Sequence, residues 1–119
     1  MDTEDLMTKD WVSFRGKPVR IEEISRPKQR VSVATNRMVA SPKVSEIEPI
    51  PLTPEILEKN GFVEHKLQRM SIWQGDNFPL ECHFTSWEYY WANGDVVINY
   101  VHELQRALKL CGITKEITI

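Results

Sequence analysis

Three histidines, two cysteines and a scatter of carboxylates are the side chains best suited to chemistry, and their spacing decides what they can do. His102-Glu103 opens like a zinc-protease helix, but the position four residues after His102 is Arg106. A second histidine one turn on is what would put two imidazoles on one metal, so the motif fails on geometry. The pattern predicts a solvent-facing His102 and a surface pair between Glu103 and Arg106. Cys82 and His83 are adjacent on a predicted strand and point to opposite faces. There is no C-x-x-C, and a nucleophilic pair would need the fold to carry His65 or His102 to a cysteine. Both Cys82 and Cys111 are therefore expected to be buried, inert thiols. Glu81 with Glu88, or Asp76 with Asp95, would make a carboxylate pair, but acids at strand ends and turns are usually solvated. The five glycines form neither G-x-G-x-x-G nor a P-loop. The chain is expected to be no enzyme, with no catalytic residue, cofactor or metal.

Two sets of residues suggest binding instead. The first is basic: Arg15, Lys17, Arg20, Arg26, Lys28, Arg30, Arg37 and Lys43, with Trp11 and Phe14 nearby. Cations interleaved with aromatic rings can follow a nucleic-acid backbone and stack on bases. The plainer reading is a solvated face that balances the acids elsewhere. The net charge of −2 conceals segregation: −3 over residues 1–8, +6 over 9–43 and −5 over 44–119. The second set is aromatic, with Trp87, Tyr89 and Trp91 on one parity of a predicted strand and Tyr90 on the other. Three rings on one face would suit a protein interface, and they would equally suit a core beneath a helix.

The elements that must position these residues follow from local signals. Trp11 to Phe14 and Val19 to Ile24 read as strands around a turn at Gly16-Lys17-Pro18, although alternation in the second is only partial. Residues 30–35 form another strand, and residues 38–50 carry Val39, Val44 and Ile47 around Pro42. This density of short strands predicts a small bent sheet or an SH3-like barrel. In residues 49–62, Thr53 is an N-cap, Pro54 the first helical residue, Leu52 and Leu57 a staple, and Gly61 the stop. Residues 62–99 again read as β, with a bulge or strand pair near Met70, a turn at residues 76–79 and one long strand over 80–91. Asn93-Gly94 predicts a type I′ hairpin. A helix over 99–112 buries Tyr100, Val101, Leu104, Ala107, Leu108 and Cys111, capped by Asn99 and ended by Gly112. Alternating Ile113, Lys115, Ile117 and Ile119 suggest an edge strand.

The expected architecture is α+β. A strand-rich subdomain over residues 1–50 leads through a short connecting helix to an antiparallel sheet with one C-terminal amphipathic helix over 51–119. A chain of 119 residues, 41% hydrophobic and 27% charged, can bury a core without staples. Two cysteines, an acidic start and no long apolar run predict a soluble, cytoplasmic protein.

DWVSFRGKPVRIEEIS, EIEPIPLTPEILEKNGF and INYVHELQRALKLCGI together resemble an uncharacterised family of short bacterial proteins associated with prophage and mobile-element neighbourhoods. The resemblance covers nearly the whole chain, and PLTPEILEKNGF and YVHELQRALKLCG are its most specific blocks. The N-terminal block also resembles the opening of an SH3-like or KOW-type barrel, with Lys9-Asp10 where such proteins carry Gly-Asn. The resemblance implies a phage-like accessory or assembly protein and assigns no site residue. The expectation is an interaction module that binds another protein, with homo-oligomers possible and no membrane partner. The alternative is nucleic-acid binding through residues 9–43.

Overall fold

The structure, a computed structural model, describes residues 1–34, 39–68, 70–84 and 89–119. It is α+β, with two antiparallel five-stranded sheets. The chain divides into two compact units, Met1–Ile50 and Pro51–Ile119. Among the described residues no helix is long and apolar enough to cross a membrane.

In the first unit, a 3₁₀ turn at Thr3–Asp5 is capped by Asp2 and leads into β1 (Trp11–Phe14). β2 (Lys17–Ser25), β3 (Arg30–Ala34), β4 (Val39–Ala40) and β5 (Ile47–Pro49) follow. The sheet order is β4-β3-β2-β1-β5, so the last strand returns to the far side of the first. The sheet is small, as the strand density predicts, and no closed barrel is seen among its described strands. Arg15 (φ 52°) and Gly16 (φ 77°) are the two central residues between the paired Phe14 and Lys17. Positive φ at both is the type I′ geometry that matches strand twist.

The partial alternation in β2 has a structural cause. Its pairing with β3 slips between Ile21 and Glu23, the signature of a β-bulge. The extra residue resets the parity, so Ile24 rather than Glu23 rejoins the core face. Ile24 packs with Phe14 against a cluster of Leu6, Val12, Val19, Ile21, Val31, Val33, Val44 and Ile47. The segment around Pro42 forms β4, a 3₁₀ turn at Val44–Glu46 and β5.

The second unit opens with α1 (Pro54–Lys59), whose N-cap Thr53 accepts from the Ile56 N–H at 3.3 Å. Gly61 (φ 83°) ends it, and the Phe62 N–H returns to the Leu57 carbonyl at 2.9 Å. β6 (Val63–Lys66), β7 (Met70–Gly75), β8 (Phe78–Phe84), β9 (Tyr89–Asn93) and β10 (Val96–Val97) then form a simple meander in that order. The strand expected over 80–91 is corrected: β8 and β9 are an antiparallel pair in which Cys82 faces Trp91. At Asn93-Gly94 the loop is Gly94-Asp95, and only Gly94 has positive φ, as in a type II′ turn. In this unit type I′ geometry is found instead at Asp76 (φ 49°) and Asn77 (φ 62°).

α2 (Val101–Leu110) starts one residue later than expected, with Tyr100 as N-cap. Glu103 accepts from the Asn99 and Tyr100 N–H groups at 3.0 and 3.1 Å, so it caps the helix rather than pairing with Arg106 on the surface. Leu104 and Leu108 are buried, as the stripe predicts. His102 is buried too, contrary to expectation, with the Tyr100 ring stacked 6.0 Å away; Cys111 is exposed.

Residues 113–119 form no strand. They are held by Asn60, whose Nδ2 donates to the carbonyls of Ile56 (2.7 Å) and Thr118 (2.8 Å) while its Oδ1 accepts from the Thr118 N–H (2.8 Å). The neighbouring Ile117 is buried. Asn60→Ala strands these backbone groups and should lower stability by about 2 kcal/mol in urea unfolding, with the C-terminal residues becoming the first proteolysed. An unchanged midpoint contradicts this role. Gly75 has an unremarkable φ, yet a Cβ there would lie 2.9 Å from the Phe62 ring. Gly75→Ala should therefore cost about 1–3 kcal/mol by overpacking; a neutral result means that the ring is free to move.

Candidate functional site

The basic residues of the first unit fall into groups at two ends of β2. Arg15 and Lys17 sit at the β1–β2 tip, whereas Arg26 and Lys28 sit in the β2–β3 turn. These tips lie at opposite ends of β2, separated by roughly 26 Å of strand at about 3.3 Å per residue, with the exposed acids Glu22 and Glu23 between them. Two of the guanidinium groups are engaged with rings of their own unit. Arg20 lies over Trp11 at 5.3 Å and Arg15 over Phe14 at 4.9 Å. Arg20 also donates to the Lys9 carbonyl, and Arg30 to that of Ser41 at 2.8 Å, close to Lys43. Arg37 lies outside the described residues.

The aromatic set is also redistributed. Trp87 and the side chain of Tyr89 lie outside the described residues. Trp91 is 2% exposed, so most of this ring is packed in the core. Its indole meets Trp73 edge to face at 6.1 Å, and its Nε1–H donates to the Leu52 carbonyl at 3.1 Å. Tyr90 takes the opposite face, stacked on His83 at 5.0 Å. His83 also meets Glu81 at 2.9 Å, so Cys82 and His83 do diverge as strand alternation requires.

What the fold does assemble is a groove of about 400 Å³ on the inner face of the second sheet. Its floor follows the register: Lys66 faces Ser71, Ser71 faces Cys82, and Cys82 faces Trp91, a single row across β6, β7, β8 and β9. Trp73 lies alongside, opposite Glu64. The walls are Pro54 and Glu58 of α1 on one side and Glu64, Lys66 and Leu67 on the other. Ser71 is buried and donates to Glu64 at 2.9 Å, which turns that carboxylate into the groove.

Burial, and then the Glu64 charge, push the Cys82 thiol above its ordinary range. A nucleophile needs the reverse, so the thiol acts as a small apolar surface. Among the described residues no three His, Cys, Asp or Glu side chains are placed to hold a metal ion. The groove can therefore take an apolar group on its floor and a cation against its rim. A smaller cleft of about 210 Å³ lies in the first unit between the Arg15-Gly16 tip and Glu46 and Glu48. Sequence reading missed the large groove because its parts are brought together by strand register, which local signals along the chain do not set. Comparison with protein-family models, curated proteins and solved structures finds no match to this chain.

The raised pKa has a sign that can be measured. The thiol's contribution to stability is complete below the ordinary thiol range, about 8.5, and is lost as pH climbs through the shifted value. Stability should fall more steeply at alkaline pH for the native chain than for Cys82→Ala; parallel curves contradict it. At neutral pH a thiol reagent should modify Cys111 alone, and Cys111→Ser should resist labelling until unfolded.

Proposed function

We propose that the chain is a non-enzymatic interaction module that binds a short segment of another protein in the groove of its second unit. An apolar side chain of the partner lies on the floor formed by Trp73, Cys82 and Trp91, and an adjacent basic residue meets Glu58 and Glu64. The observation that carries this reading is the pairing of a floor built from indoles and a neutral thiol with a rim bearing two acids and one base. Sites of this size and mixed lining hold ligands by apolar contact and gain selectivity from a few polar groups. The resemblance to prophage-associated proteins supplies the setting, an accessory or assembly role. The dispersal of the basic residues over both ends of β2 favours this reading over nucleic-acid binding, which works best along a continuous electropositive track.

The test is a set of short fluorescent peptides with one Leu or Phe anchor flanked by Arg or by Glu, titrated against the full chain. Binding of the Arg-flanked series should exceed that of the Glu-flanked series by about tenfold, equal to 1.4 kcal/mol. It should also perturb tryptophan emission. Glu58→Lys, at an exposed position on α1, should erase the preference. The proposal fails if no peptide binds, or if the preference survives Glu58→Lys.

A further inference from the structure

β6 is an edge strand, and among the described residues no strand lies beyond it. Edges of this kind are templates for another strand, and charged side chains commonly guard them. Here the guard is balanced. Along Val63–Lys66 and into Leu67 the residues run Val, Glu, His, Lys, Leu, a sequence complementary to itself when reversed. From this we infer that the occupant of the edge is a second copy of this chain, paired antiparallel with itself about a two-fold axis at His65.

Hydrogen-bond parity permits this register. The Leu67 N–H donates to the Met70 carbonyl at 2.8 Å, continuing the β6–β7 ladder. Alternation then turns the backbone groups of Val63, His65 and Leu67 toward β7, and those of Glu64 and Lys66 toward the open side. In an antiparallel pair centred on His65, Glu64 faces the Lys66 of the second copy and Lys66 faces its Glu64. These are the residues whose free N–H and C=O groups must exchange bonds. Val63 faces Leu67 across the non-hydrogen-bonded positions, and both are exposed, at 59% and 55%. Moving the centre to Glu64 or Lys66 keeps the parity but sets like charges opposite each other, which is unfavourable. Charge thus selects one register among those the backbone allows.

A two-fold axis through such a pair stands perpendicular to the sheet, so both copies present their groove faces on the same side. The result is a continuous ten-stranded sheet carrying two grooves. The interface is small, so the dimer forms with rising concentration and is not obligate.

Two experiments on the full chain test this. In sedimentation velocity over a concentration series, the native chain should shift from monomer to dimer. Lys66→Glu, at an exposed position, should remain monomeric, and the swap Glu64→Lys with Lys66→Glu should restore the dimer. The second experiment reads register in the Cys111→Ser background. His65→Cys should form a covalent dimer under glutathione disulfide, because non-hydrogen-bonded partners lie about 4.5 Å apart at Cα. Val63→Cys should not, because the two copies of residue 63 are about 13 Å apart along the strand. A native chain that stays monomeric throughout, a swap that fails to restore association, or equal cross-linking at both positions overturns the inference. None of these readouts uses a peptide, so failure of the proposed groove function leaves them unaffected.

Discussion

The buried hydrogen bond from Trp91 Nε1 to the Leu52 carbonyl organises the second unit. An indole N–H can only donate, and leaving it unpaired in a core costs about 1–3 kcal/mol. Meeting that requirement ties β9 to the residue that enters α1. Leu52 is fixed from its other side as well, since its N–H donates to the Asn99 carbonyl at 2.9 Å just before α2. One residue therefore links β9 to the starts of both helices. Thr53 caps α1 immediately afterwards, so the position of Pro54 and Glu58 beside the groove follows from where Trp91 finds its acceptor.

Local chemistry made part of this fold readable. Thr53-Pro54, Gly61 and Gly112 announce helix ends because a cap is satisfied within a few residues of itself. Gly112 (φ 73°) and the Ile113 N–H donating to the Leu108 carbonyl at 2.9 Å complete α2 as its sequence implies. Readings that relied on period alone fared differently. The parity of Tyr89 and Trp91 continues that of the preceding residues, so residues 80–91 resemble one strand, although the chain pairs Cys82 with Trp91. Ile113 to Ile119 also alternate, yet the amide of Asn60, 58 residues away, holds that segment in place. His102 is buried with the ring of Tyr100, the N-cap of α2, stacked beside it, a contact that helical periodicity does not reveal.

The segregated charge has a structural explanation that composition does not reveal. A stripe of cations along the first unit would require Arg15, Arg20 and Arg26 to face one side of a flat sheet. β2 instead runs from one hairpin tip to the next, and its bulge shifts the register partway along. The guanidinium groups of Arg15 and Arg20 cover the faces of Phe14 and Trp11. Contacts of this kind are worth about 0.5–1 kcal/mol at exposed sites. The cations thus shield aromatic surface on strands too short to bury every ring, a use for positive charge that needs no polyanion.

Glu64 and Lys66 occupy two roles in the second unit. Their side chains line the groove, while their outward backbone groups form the open edge of β6. A strand added at that edge would hold both side chains in one orientation, and Glu64 is already steered inward by Ser71. Occupancy of the edge and occupancy of the groove must then influence one another, and thermodynamic linkage makes any such effect on affinity reciprocal. Its sign follows from charge. A Lys66 drawn toward a neighbouring Glu64 no longer neutralises its own rim, which leaves Glu58 to attract a basic group while the paired Glu64 attracts it less. Association at the edge would thereby move the groove's preference for cations toward the α1 side.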